Sequence, residues 1–293
     1  VIETPCMPKA GETIAGKSIA QIPGGKGANQ AFAAGKLGGN IAMMGAVGND
    51  EKGEKLLESL KGVGVDISRI EVMNDIPTGQ AFITVDDQGE NAIIIIAGAN
   101  GKVTKELIDS NLDLIKQSDI IIMQLEIPLE IVGYVKKIVE EDGKIVILDP
   151  APAIKDIPEN ILKGIDYIKP NETELQILTG MEVKNRKDIT EAAKILIKKG
   201  VKNVIVTMGG DGCLYINKDI EEFFTAYPVK AIDTTAAGDC FTAAFALALS
   251  QNKNWKEAIE FGQKASSIAV TRKGAQTSIP TREEVDEMKG GKM

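Results

Sequence analysis

Two carboxylates flank a turn of small residues in Asp233-Thr234-Thr235-Ala236-Ala237-Gly238-Asp239, and an apolar helical run, Cys240 to Leu247, follows at once. Alanine and glycine let backbone N–H groups approach a bound anion closely. The unpaired amides at a helix start, with the positive end of the helix dipole, favour phosphate there. Asp239 stands at that start as a carboxylate able to take a proton beside the anion. An anion cradle joined to a base is the equipment for phosphoryl transfer to a hydroxyl. Asp is also a common helix cap. A cap does not require three tiny neighbours, however, and Ala236-Ala237-Gly238 favours the catalytic reading.

The 293-residue chain contains no histidine, which removes His-based acid–base chemistry, Ser-His-Asp triads and His metal sites. Asp, Glu, Lys, Cys and backbone groups must carry any reaction. The net charge of −8 and isoelectric point of about 4.9 argue against a nucleic-acid or anionic-membrane partner. No apolar run approaches the roughly 20 residues of a membrane span. The longest, Ala92 to Ala97, suits a strand. Three widely separated cysteines, Cys6, Cys213 and Cys240, form no CxxC pair and point to a reduced, cytoplasmic setting. No G-x-x-x-x-G-K-[ST] segment exists, so a nucleotide would not be held by a P-loop.

The elements that must position this chemistry alternate. Helices are expected over 31–37, 51–62, 104–115, 128–141, 188–199, 237–250 and 255–270, with a further helix opening at Asn171. Short apolar strands are expected over 41–47, 119–124, 144–148 and 203–208, with a strand end at Tyr167-Ile168-Lys169-Pro170. Such alternation implies an α/β chain with a mostly parallel central sheet covered on both faces. Ligands in such sheets bind beyond the carboxyl ends of the strands. Gln124-Leu125-Glu126, Pro170-Asn171-Glu172-Thr173-Glu174, Met208 to Gly212 and Asp233 to Asp239 all fall there. Two hairpins interrupt the rhythm. One joins Cys213–Ile216 to Glu221–Thr225; the other, 79–85 with 91–97, reads as a flap or small extra sheet. The opening Val1-Ile2-Glu3-Thr4-Pro5 reads as the end of a strand already under way, and an N-terminal piece is expected to be missing.

The motifs together resemble the ribokinase branch of the ribokinase/carbohydrate-kinase family. Gly24-Gly25-Lys26-Gly27-Ala28-Asn29-Gln30 and Asp233-Thr234-Thr235-Ala236-Ala237-Gly238-Asp239 match its two signatures. Met123-Gln124-Leu125-Glu126, Asp149-Pro150-Ala151-Pro152, Pro170-Asn171-Glu172-Thr173-Glu174 and Thr271-Arg272-Lys273-Gly274-Ala275-Gln276 stand in order around them. The resemblance covers essentially the whole chain and implies a three-layer α/β/α ribokinase-like fold over 1–293, with a small β-sheet lid built from about 10–23 and 79–98. Family members begin with a strand carrying an Asn-x-Asp motif; this sequence starts just after that place.

By that resemblance, Gly25, Lys26, Gly27, Ala28, Asn29 and Glu126 would bind the sugar. The residue types suit a neutral pentose: Asn both donates and accepts, Glu accepts from hydroxyls, and glycine allows close approach. Read alone, the same glycine segment could equally be an ordinary turn before a helix. Asp239 would take the proton from the terminal hydroxyl, and the amides of Ala236, Ala237 and Gly238 would hold the charge developing on the phosphoryl group. ATP would lie along Asn171, Thr207, Met208, Gly209, Gly210, Asp211, Gly212, Gly238 and Gln263. Glu174 would hold the Mg²⁺ shell, through water; without the family, it reads as a solvated first-turn carboxylate. A K⁺ site is implied at the carbonyls of Thr235, Ala269, Arg272 and Gly274 with the side chains of Asp233 and Ser278.

The activity so implied is phosphorylation of D-ribose at O5 by ATP, with the lid excluding water and pairing with a second lid to give a homodimer. The alternatives are the same fold acting on deoxyribose, fructose, a nucleoside or a sugar phosphate, or a non-catalytic sugar sensor. A sugar phosphate calls for more basic residues than Lys26 alone, and a sensor of this kind usually lacks the base that Asp239 supplies.

Overall fold

The computed structural model describes residues 1–288. Its central sheet runs in the order Glu221–Phe224, Cys213–Asn217, Asn203–Thr207, Tyr167–Ile168, Ile145–Leu148, Ile120–Met123. The last four strands are parallel, and the Cys213–Asn217/Glu221–Phe224 hairpin closes one edge antiparallel. Ala42–Gly48 and Asp66–Met73 form a separate parallel pair.

The sheet is sandwiched because its side chains alternate. Val146 and Leu148, Val204 and Val206, Leu214 and Ile216 face a core shared with Ile131, Val135, Leu175, Ile189 and Leu196 from the helices on one side. Ile147, Ile205, Cys213 and Tyr215 face the opposite core, with Phe241, Phe245 and Ile259 from the other side. The result is three α/β/α layers. The helix layer nearest the chemistry is made close by small residues: Ala33 and Ala34 of Lys26–Lys36 pack on Cys240, Ala243 and Ala244 of Ala237–Ser250, and those on Ala265 and Ala269 of Trp255–Ala269.

Several expected elements differ. The single helix expected over 104–115 is two short helices, Lys105–Asp109 and Leu112–Gln117. The Asn111 side chain donates back to Leu107 O at 2.7 Å, a competing bond that suits a break. The strand Asp66–Met73 was not anticipated from the sequence; Asp66, Ser68 and Glu71 are exposed and interrupt the apolar signal. In the lid, the order is Ser18–Ile19, Ile2–Glu3, Gln80–Val85, Asn91–Ile96. The opening strand therefore belongs to the lid, and only two residues of the 10–23 segment pair as strand. The hairpin turn is closed by the Asp86 carboxylate, which accepts from the Gln88 and Glu90 amides.

The lid is rooted at Asp50. This residue caps the Glu51–Gly62 helix by accepting from Gly53 N at 2.8 Å, and also accepts from Thr78 N at 2.9 Å and Thr78 Oγ1 at 2.7 Å. The Thr78 bonds, with the Gly53 amide, draw the Asp50 carboxyl down to about 2. A folded-state value below the unfolded one adds stability above about pH 4 that is lost as pH falls toward 2. Asp50→Ala should therefore cost about 1–2 kcal/mol in denaturant unfolding at pH 7. The difference from wild type should shrink below pH 4; a pH-independent difference would contradict the assignment.

Candidate active site

Four parallel strands end on the same side, and the candidate residues follow them in turn. Gln124 and Glu126 follow Ile120–Met123, Asp149 follows Ile145–Leu148, Lys169 and Asn171 follow Tyr167–Ile168, and Met208 to Gly212 follow Asn203–Thr207. The Ala237–Ser250 helix starts against this rim. Its entry residue Ala236 adopts a left-handed φ of 58°, an uncommon conformation for a residue with a Cβ, and turns the chain into the helix. Gly238 lies exposed at the first turn. A Cβ there would lie 3.5 Å from Lys169 Nζ. The Ala237 amide donates to Thr234 O at 3.2 Å and closes the turn.

Asp239 is 6 % exposed, yet both its oxygens are bonded. Oδ2 accepts from Asn29 Nδ2 and Oδ1 from Gln30 Nε2, each at 3.0 Å. Gln30 Nε2 also donates to Asp149 Oδ2 at 2.8 Å. Asp149 in turn pairs with Lys169 at 3.4 Å, both side chains being almost wholly buried. Thr242 lies one helical turn after Gly238; its hydroxyl donates to Gly238 O at 3.0 Å and lies 3.4 Å from Asp149 Oδ2. Burial pushes the Asp239 carboxyl above the ordinary aspartate value, and Asp149 adds to the push; the Lys26 ammonium and the Asn29 and Gln30 amides pull it part of the way back. A raised carboxylate is a better proton acceptor than a free one.

The glycine segment approaches from the opposite side. The Lys26–Lys36 helix begins after Gly25, whose φ is 91°. The Lys26 amide donates to Glu126 Oε2 at 2.8 Å, joining the two expected sugar-binding segments. Gly27 faces Gln124, whose Oε1 would stand 3.0 Å from a Cβ there; Ala28 is buried against Leu60 and Val65. Burial raises the Glu126 carboxyl. Burial alone would lower the Lys26 ammonium, but Asp239, Asp149, Glu174 and Glu126 together carry it above its usual value. A fixed positive charge therefore stands among four carboxylates at the mouth of the site.

Asn171 caps the Glu172–Thr179 helix in a reciprocal box: its Oδ1 accepts from Glu174 N at 2.8 Å, and Glu174 Oε2 accepts from Asn171 N at 2.9 Å. One Glu174 oxygen is thus committed to the cap. Asn171 bridges to Thr207, placing the two expected nucleotide segments side by side. Met208 N donates to Gly212 O at 2.8 Å, closing the loop through Gly209–Asp211. Gly212 has φ 95°, and a Cβ would run into the Phe224 carbonyl. Gln263 is buried beneath this loop, with Nε2 3.7 Å from Cys213 Sγ and 3.5 Å from Phe224 O.

Asp233 ties together the two loops that carry the expected cation ligands. Its Oδ1 accepts from Thr235 N at 2.9 Å and Thr235 Oγ1 at 2.6 Å, and its Oδ2 from Gly274 N at 2.8 Å. Partial burial opposes ionisation, but these bonds outweigh it and lower the Asp233 carboxyl. Ala269 O accepts the Arg272 amide at 3.1 Å. The Ser278 hydroxyl donates to Ala275 O at 2.7 Å, which leaves its lone pairs free. The Arg272 side chain turns away to Glu284. Among the described residues, no cluster of three His, Cys, Asp or Glu side chains could hold a metal.

Gln30, Asp149, Lys169 and Thr242 joined the site without having been assigned a role from sequence. Asp149 and Lys169 stood inside recognised strand-end motifs, and a charged residue ending an apolar strand was the available signal. Gln30 closes the recognised glycine motif without a role read for it there, and Thr242 sits in a run of small helical residues where nothing in its spacing marks it.

A profile of the pfkB family carbohydrate kinases matches residues 3–282. The chain is 41 % identical to a ribokinase of Haemophilus influenzae over 284 residues, covering 97 % of this chain and 92 % of that protein. It is 37 % identical to a deoxyribokinase of Salmonella typhi, covering 96 % of this chain and 92 % of the other. Among solved structures, the Arabidopsis thaliana ribokinase complexed with ribose and ATP superposes with a TM-score of 0.91 at 37 % identity, covering 98 % of this chain and 93 % of that one. The chain belongs to the pfkB family of carbohydrate kinases.

The Asp149–Lys169 pair yields a stability test. Lys169→Met should strand a buried carboxylate and cost about 3–5 kcal/mol in urea unfolding. A loss below about 1 kcal/mol, the scale of an exposed pair, would show that the pair is not buried in solution.

Proposed function

We propose that this chain is a ribokinase, transferring the γ-phosphoryl group of ATP to O5 of D-ribose. The observation that carries the reading is the 3.0 Å bond between Asn29 of the glycine segment and Asp239 at the helix start. It joins the segment proposed to bind the sugar to the carboxylate proposed as the base.

Ribose would lie between Gly25–Asn29 and Glu126, its hydroxyls bonding to the Asn29 amide and the Glu126 carboxylate. Asp239 takes the proton from the terminal hydroxyl as that oxygen attacks the γ-phosphorus. The amides at Ala236, Ala237 and Gly238 face the charge building on the transferred group; the one at Ala237 must exchange its bond to Thr234 for the phosphoryl oxygen. ATP lies along Asn171, Thr207–Gly212 and Gly238, with buried Gln263 supporting the loop. A Mg²⁺ ion bound with ATP would supply positive charge to offset that of the phosphates. Glu174 fits an outer-shell role, because its cap uses one oxygen and leaves the other for a metal-bound water. The oxygen-only set at Thr235, Ala269, Arg272, Gly274, Asp233 and Ser278 suits K⁺, held where it would brace both loops beside the cradle.

A homodimer through the lid fits the exposed face of Asn91–Ile96. That strand pairs with Gln80–Val85 on one side and with no strand of the described residues on the other, and Ile93, Ile94, Ile95 and Ile96 are between 48 % and 67 % exposed. An edge of that kind is normally covered. No helix among the described residues is long and apolar enough to cross a membrane. Three free cysteines, two of them buried, suit a cytoplasmic enzyme.

The deoxyribokinase relative makes deoxyribose the main competing substrate. A site built to bond a hydroxyl discriminates against its absence, so kcat/KM for ribose should exceed that for deoxyribose and fructose by at least about tenfold. Equal values, measured by ADP release over a sugar panel, would reassign the substrate. Asp239→Asn should lower kcat by about a hundredfold or more while leaving ATP affinity within a few fold; near-normal turnover would remove Asp239 from the role of base.

A further inference from the structure

We infer that Gln30 is the positioning residue for the base: its amide fixes the Asp239 carboxylate and ties it to the buried Asp149–Lys169 pair. The inference rests on the proposed role of Asp239 and goes further, to a residue that touches no substrate in that reading.

Gln30 is 1 % exposed, and its side-chain polar atoms are engaged from three elements. Nε2 donates to Asp239 Oδ1 at 3.0 Å and to Asp149 Oδ2 at 2.8 Å. Oε1 accepts from Gln124 Nε2 at 2.6 Å. An amide nitrogen has two protons, and both are committed to carboxylates. The opposite orientation would turn an acceptor onto two acceptors, so the chemistry of the neighbours fixes the amide. Gln124 locks it from the other end.

This arrangement solves a specific difficulty. Asp149 and Asp239 are both buried and share the Gln30 amide, and the Asp149 charge raises the cost of ionising Asp239. Lys169 offsets Asp149 directly. Among the described residues Asp239 has no comparable direct partner; the Lys26 ammonium acts on it through space. Two neutral amides, from Asn29 and Gln30, hold it instead. Glu126 also feels Asp239, and Glu174 acts on Lys26. The Cys240 thiol, next in the chain, is pushed up to about 12 by burial and stays neutral. Among the described residues Gln30 is thus the one group that bonds to both aspartates. Removing it leaves Asp239 with a single donor and a freer rotamer, while the sugar and nucleotide segments keep their own contacts.

Gln30→Met preserves length and burial but removes the donors. Steady-state kinetics from pH 5 to 9 should show kcat about ten- to a hundredfold lower with KM for ATP within about twofold. The acid limb of the kcat profile should move to higher pH, because a lost N–H donor disfavours the ionised carboxylate. A purely structural role would lower the active fraction evenly and leave the limb in place. Gln124→Met, which releases the Gln30 amide without removing it, should move the limb the same way by less, and serves if Gln30→Met does not fold. An inactive Asp239→Asn beside a Gln30→Met or Gln124→Met with wild-type rate and limb overturns the inference alone. A turning-over Asp239→Asn overturns the reading of the base itself.

Discussion

A carboxylate is kept ionisable where water hardly reaches. Asp239 is 6 % exposed at the junction of two helices, and isolated burial of such a charge is strongly unfavourable. It stands because amides from the glycine-segment helix meet it, the Lys26 ammonium lies nearby, and the neighbouring Asp149 carries its own lysine. Lys26, Asn29 and Gln30 come from one helix, Lys26–Lys36, and Asp149 and Lys169 from strand ends more than 100 residues further along the chain. The proposed proton acceptor is assembled only in the folded state.

Close helix packing makes those contacts possible. The alanines of Lys26–Lys36 and Ala237–Ser250 allow the two helices to approach until short side chains can bridge them. Larger residues at Ala33, Ala34, Ala243 or Ala244 would push the helices apart and carry Asn29 and Gln30 out of bonding distance. The small-residue character of the proposed anion cradle at Ala236-Ala237-Gly238 continues down the helix and serves this packing. On its other side the same helix meets the sheet through Phe241 and Phe245, which fixes its start against the strand ends.

Much of this was legible in the sequence. The helix Ala237–Ser250 and the helix Glu51–Gly62 have the bounds their caps and glycines suggested, because strong apolar or amphipathic runs meet clear stops. The strand-end motifs pointed to one rim for the same reason: parallel strands fix where their following loops lie. The strand Asp66–Met73 was hidden by its exposed polar residues, and the break at Asn111 by apolar residues on both sides that suited one helix equally well. Gln30 lay inside the glycine motif, but its bonds were hidden because hydrogen bonds across 119 and 209 residues leave no local pattern. Buried polar networks are built by tertiary contact, and sequence spacing records only their members within one element.

The most direct test is the titration of Asp239 itself, followed by carboxyl ¹³C NMR in the substrate-free protein, with Asp239→Asn used to assign the resonance. A midpoint above the ordinary aspartate value is expected, moving higher when Gln30 is replaced by Met. A midpoint at or below the ordinary value, unmoved by that replacement, would contradict a buried base held by neutral amides.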